Sequence, residues 1–230
     1  MWAVGACSVV SGVALWLLDP PTRAAPVDGQ RPSTGGVREW LDLRLLGALL
    51  ATTAAVLMLF GTELSVIAAL QGTGQTGTIP VVNAVWCLAS LAGGFLYGAA
   101  RRSVSLFVLV AGLGLVTLPL ALGGSWWSYA LLMVPAGVLC APSLAASSEA
   151  VSTLAPEHAR GLVTGLHGSA ITLGAAVGAP LAGLMVDISS SGVAVLTVGG
   201  VGIAGAGLAA LLHRSSRPGV RPCTVGSPPI

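Results

Sequence analysis

The chain has 230 residues, 54% of them hydrophobic and only 8% charged, with a net charge of +2 and a mean hydropathy of +0.90. Too few charged groups are present to cover a water-facing surface, and the small positive balance is spread over loops, so soluble-domain and nucleic-acid-binding classes are both excluded. There is no lysine, which also excludes a seven-helix retinal protein, because its chromophore needs a lysine Schiff base.

A bilayer core needs about 20 apolar residues per helix. Seven segments reach or approach that length and are predicted as spans: 1–18, 45–70, 79–100, 104–122, 126–146, 161–186 and 193–212. The fold class is therefore all-α, a polytopic membrane helix bundle of about seven transmembrane helices. The first segment lacks the basic region of a secretory signal and reads as a span. Residues 19–44 form a Pro- and Gly-rich linker carrying Arg23, Arg31, Arg38 and Arg44, and its end (37–44) mixes Trp and Leu with charge, as an interfacial helix anchored by Trp40 would. Beyond it, the loops alternate. None of 71–78, 123–125 and 187–192 carries an arginine, whereas Arg101, Arg102, Arg160 and the tail (214–230) do. Basic loops mark the cytoplasmic side, so the expectation is a multi-pass protein of a cell membrane, N-terminus outside and C-terminus inside. Trp126, Trp127 and Tyr129 would form part of an outer aromatic belt. Cys7, Cys87, Cys140 and Cys223 show no CxxC spacing, and no P-loop is present, so no metal, cofactor or nucleotide is expected.

Glu63 stands about seven residues from the outer end of its predicted helix, where a carboxylate costs a few kcal/mol to insert. It marks a proton or substrate pathway, or else an early end to the helix. Thr52 lies eleven residues earlier on the same face, which would make a thin polar stripe toward a cavity. On the next helix Asn83, Ser90 and Tyr97 recur every seven residues with Trp86 and Gly94 near the same surface, either lining a cavity or bonding a neighbouring helix. His167 would relay protons or bond a backbone carbonyl. Gly161 with Gly165, Gly174 with Gly178, and the glycines from 199 to 207 suit close helix approach. Pro135 and Pro142 are expected to kink the fifth span.

Two stretches carry a family likeness. GGFLYGAARRS (93–103), through Gly94, Arg101 and Arg102, resembles the cytoplasmic loop between helices eight and nine of the major facilitator superfamily, with Gly98 in place of that family's Asp. Pro156, Glu157, Arg160 and Gly161, followed by Gly174, Gly178, Pro180 and Gly183, resemble its tenth-to-eleventh loop and glycine-rich eleventh helix. The resemblance implies that 1–18 is a sixth helix and that 45–213 is the second six-helix half, joined by the basic linker. It also implies a secondary transporter exporting a small molecule in exchange for protons, with Arg101, Arg102, Glu149, Glu157 and Arg160 as cytoplasmic gate candidates, the glutamates and Arg160 either pairing across the closed gate or lying on a solvated amphipathic turn. The partners implied are the bilayer, protons, an unidentified small molecule and an N-terminal half outside this sequence. The alternatives are a non-transporting membrane protein and a half-protein that requires a partner. An intramembrane serine protease, and enzymatic activity generally, is disfavoured because Ser65 and His167 fall at opposite membrane depths.

Overall fold

A computed structural model describes residues 42–100 and 104–215. The predicted span 1–18, the linker and interfacial segment up to residue 41, Arg101, Arg102 and the tail from 216 lie outside the described residues. Within them the chain is helical throughout, with no strand. The helices are α1 (Leu43–Gly72), α2 (Ile79–Ala99), α3 (Leu106–Thr117), α4 (Trp126–Leu154), α5 (Arg160–Ile188) and α6 (Ser191–Ser215). All except α3 are long and apolar enough to cross a bilayer; α3 continues through a 3-10 segment, Leu118–Leu122, to make a shorter apolar unit.

Local chemistry sets these boundaries. Helix α1 stops where Gly74 adopts φ +71, a left-handed conformation that lets the Gln75 N–H donate to Leu70 O at 2.8 Å. Pro80 sits in the first turn of α2, where its missing N–H costs nothing. At Pro119 the α-helical ladder of α3 gives way to the tighter 3-10 form, because proline removes a donor and crowds the preceding turn. Pro135 and Pro142 lie inside α4, yet the helix runs through both to Leu154, eight residues past its predicted end. Arg44 and Asp42 flank the start of α1, and Arg160 and Arg214 lie at the matching ends of α5 and α6, so the described arginines all lie at one end of the bundle, the basic end, whereas the other carries Asp187 and no described arginine.

The end opposite the arginines is stitched across loops. The Gln75 side-chain oxygen, in the α1–α2 turn, accepts from Trp126 N–H at 2.9 Å and so caps α4. The Ser128 hydroxyl closes the same turn, accepting from Ser125 N–H at 3.1 Å. Tyr129 is buried and donates to Gly123 O at 2.8 Å. It therefore locks its own loop rather than joining the exposed Trp126 and Trp127 in an aromatic belt, because the ring packs over Gly123. Replacing Gln75 with Ala is expected to lower stability by about 1 kcal/mol, read as a drop in the detergent melting temperature; Gln71→Ala, one turn away and exposed, should leave it unchanged.

The packing follows a repeat of three helices. Helix α1 packs mainly on α5 and α6; α4 packs mainly on α2 and α3. Thus the first helix of each triplet lies on the second and third of the other, as interlocked repeats would place them. Helices α1 and α4 are the interior elements, with 61% and 50% of their spanning windows buried, against 11% for α2 and 22% for α5. Small residues let the backbones close up where lipid supplies no hydrophobic drive: Gly93 of α2 lies against the Val138 backbone of α4, and Gly174 and Gly178 of α5 lie against Thr53 and Leu57 of α1. Gly161 and Gly165 meet open space instead, because they fall on the opposite face of α5.

Candidate functional site

Helix α1 continues to Gly72, about nine residues beyond Glu63. The carboxyl therefore sits about 14 Å below the helix end at 1.5 Å per residue, within the span rather than at an early helix terminus. It is half-buried, and among the described residues no hydrogen-bond or ion-pair partner reaches it.

Glu63 borders a narrow cleft between α1, α2 and α4 at the end opposite the arginines, of about 20 Å³ and open on one side. The rest of α1's contribution is Val66, Ile67 and Leu70; α2 gives Ile79, Val82, Asn83 and Trp86, and α4 gives Met133. The cleft is thus apolar except for one carboxyl, one amide and the indole. Asn83 Oδ1 accepts weakly from Cys87 Sγ at 3.7 Å on its own helix. The Trp86 position depends on Gly137 of α4, where a methyl group would stand 2.8 Å from Trp86 O and 2.9 Å from its Cδ1. The close approach of α2 to α4 is what seats the indole beside Glu63.

The structure separates the remaining predicted residues from this cleft. Thr52 is fully buried, and its hydroxyl donates to Ala48 O at 2.9 Å within α1. It does not line the cleft, because its side chain is enclosed in the bundle. The neighbouring Thr53 bridges helices, donating to Ala170 O of α5 at 3.2 Å as well as to Leu49 O at 3.1 Å. On α2, Ser90 faces Cys140 of α4. Tyr97, half-buried near the basic end, has a buried hydroxyl oxygen with no partner, close enough to Glu149 of α4 to feel its charge. The seven-residue stripe therefore divides: Asn83 and Trp86 border the cleft, whereas Ser90 and Tyr97 turn to α4.

His167 of α5 lies with Nε2 at 3.2 Å from the Ser147 Oγ of α4. The Ser147 hydroxyl already donates to Leu144 O at 2.8 Å, and it has a single hydrogen. The contact is a cross-helix tie rather than a bond to a backbone carbonyl, with the imidazole tautomer setting which group donates. At the basic end Glu149, Glu157 and Arg160 are all exposed. No ion pair joins Arg160 to either glutamate among the described residues. The expected pairing is absent because Pro156 is extended and starts a separate turn, Glu157–Ala159, in a segment open to solvent, where such a pair contributes little. Arg160 instead borders a groove with Val151, Ser152, Ala155, Val163 and Thr164. Arg101 and Arg102 lie outside the described residues.

Sequence reasoning did not single out Met133, Val82 or Gln75. Apolar cleft walls carry no signal that separates them from lipid-facing positions, and Gln75 acts only through a contact with a residue 51 positions away.

The Glu63 carboxyl, unpartnered among the described residues, thus faces an open apolar cleft within a bundle of interlocked three-helix repeats. No curated protein matches the chain. The sequence pattern that defines the Major Facilitator Superfamily matches residues 75–225, about two thirds of the chain and five of the six described helices, and with the helical, apolar bundle it establishes that the chain is a multi-pass membrane protein belonging to the Major Facilitator Superfamily.

Proposed function

We propose that this chain serves proton-coupled export of a small molecule, with Glu63 as the group that alternately holds a proton and yields it to substrate binding. The observation that carries the reading is the Glu63 carboxyl, which has no described partner inside a span. A charge in that position is costly to maintain, so the group functions only by exchanging its neutralising species. Asn83 and Trp86 supply the orienting contacts at the same depth. His167, tied to Ser147 between α4 and α5, links two helices that otherwise touch little. The basic end, with Arg44, Arg160 and Arg214, is the cytoplasmic side by the bias of basic residues, in a plasma membrane.

Alternating access needs a second bundle against which this one rocks. The outward faces of α2 and α5, which leave most of their spans uncovered, are where that bundle packs, whether it belongs to the same polypeptide or to another. The test is proteoliposomes holding the purified protein under a pH gradient, with an entrapped pH-sensitive dye and a panel of small organic compounds. At least one compound is expected to speed gradient collapse several-fold over empty liposomes. Equal rates with and without protein for every compound would sink the reading.

A further inference from the structure

Helices α4 and α5 form a hairpin whose two arms touch little. The arms are joined at the corner by residues 155–159 and held again by the contact between Ser147 Oγ and His167 Nε2 at 3.2 Å. That tie lies seven residues before Leu154 on α4 and seven after Arg160 on α5, so about 10 Å of each helix separates it from the corner at 1.5 Å per residue. Between tie and corner the arms enclose a groove of about 300 Å³, at the low end for a small-molecule site. Val151 and Val163 face each other across it, Ala155 closes the corner, and Arg160 is the sole ionisable side chain of the lining. The Thr164 hydroxyl spends its hydrogen on Arg160 O at 2.8 Å, whereas Ser152 is exposed. The groove therefore presents one planar cation and one hydroxyl above apolar walls, at the arginine-bearing end of the bundle, where lipid headgroups meet water.

We propose that this groove holds the phosphodiester headgroup of an anionic phospholipid, with its phosphate on Arg160. A guanidinium meets two phosphate oxygens at once through parallel N–H donors, and basic pockets between spans are where anionic headgroups gather. No acidic side chain lines the groove to receive the ammonium group of a zwitterionic lipid, so a headgroup with a single negative charge matches the single arginine. The valine walls, with the exposed Leu162 beside them, suit the glycerol and first acyl carbons, which a free phosphate lacks. A lipid seated there fills the space that the parted arms leave and braces the corner against the Ser147–His167 tie. The site lies at the opposite end of the bundle from Glu63 and does not depend on the transport reading.

The test titrates dioleoyl phosphatidylglycerol into the detergent-solubilised full chain and counts lipid adducts by native mass spectrometry. One adduct is expected to saturate at a concentration at least about tenfold below the others, the margin of a charge-assisted hydrogen bond. Dioleoyl phosphatidylcholine should bind that site several-fold more weakly, and glycerophosphoglycerol, the same headgroup without tails, should not displace the lipid at equal concentration. Arg160→Gln should weaken the first adduct about tenfold, and Arg160→Lys, a point charge without the fork, should restore part of it. Arg214→Gln, at the same end but on α6, should stay within about twofold of the wild type. Ser152→Leu, which narrows the groove and keeps the arginine, should weaken the lipid as well. Each variant's unfolding in SDS without added lipid reports its folding, and should Arg160→Gln fail to fold, Ser152→Leu decides the outcome. Equal affinity for the two lipids, Arg160→Gln binding like the wild type, or adducts with no distinct first site overturns the proposal. Displacement by glycerophosphoglycerol at equal concentration would assign the groove to a soluble phosphate ester and overturn the lipid.

Discussion

Glu63→Gln is expected to reduce substrate-driven proton flux in proteoliposomes by at least about 100-fold, the loss of a step rather than of a contact. Gln keeps the size and the hydrogen-bonding outline of the glutamic acid but holds no exchangeable charge. The same change should leave the protein as stable as before or more so, by up to about 1 kcal/mol, because an amide in the span carries no ionised form to dehydrate. That opposition of signs matters, since a misfolded variant would lose both activity and stability. Glu63→Asp retains the charge but withdraws it by one methylene, so it should keep a measurable fraction of the flux. Gln flux within twofold of the wild type would exclude Glu63 as the coupling group, whatever happens to the other residues.

Much of the bundle is legible in the amino-acid order because the bilayer imposes one length and one polarity on every span. The predicted segments 45–70, 79–100, 161–186 and 193–212 fall within a few residues of α1, α2, α5 and α6. The largest miss is α4, predicted to stop at 146. The stretch after it, with Ser147, Ser148, Glu149 and Ser152, reads as polar loop, but the helix extends to Leu154 because Ser147 and Val151 are buried against the rest of the bundle. Polarity marks exposure to water only when the residue is not enclosed, and the single sequence does not show enclosure.

The site is legible in its anchor and not in its surroundings. A lone acid in an apolar run stands out by cost alone. Which way its neighbours point depends on rotation about the helix, at 100° per residue, and on the helix opposite. A step of one residue separates the enclosed Thr52 from the bridging Thr53. Similarly, a seven-residue repeat put Asn83, Ser90 and Tyr97 on one surface, but where that surface leaves α4 and meets the cleft is set by the Gly93 and Gly137 contacts, which depend on both helices at once.

The two glycine pairs of α5 give the sharpest separation of packing from sequence pattern, and alanine at each should change stability with opposite sign. A Cβ at Gly174 would stand 2.6 Å from Thr53 O, and one at Gly178 would stand 2.5 Å from Leu57 O and 2.9 Å from Leu57 Cα. These are backbone atoms, so no side chain can rotate aside; the helices must part. Overpacking of this kind costs about 1–3 kcal/mol per site, and separation of α5 from α1 also stretches the bond from Thr53 to Ala170 O. Against it stands the gain of about 0.5–1 kcal/mol for replacing a helical Gly with Ala, too small to reverse the sign. At Gly161 and Gly165 nothing lies within 4 Å, so only the gain remains. Gly174→Ala and Gly178→Ala are thus expected to unfold at lower SDS fraction than wild type, and Gly161→Ala and Gly165→Ala at equal or higher. If Gly178→Ala matched the wild type, the close approach of α5 to α1 would not hold in the folded protein; if Gly165→Ala were as damaging as Gly178→Ala, its face would be covered by another element, which would then be the bundle that packs on α5.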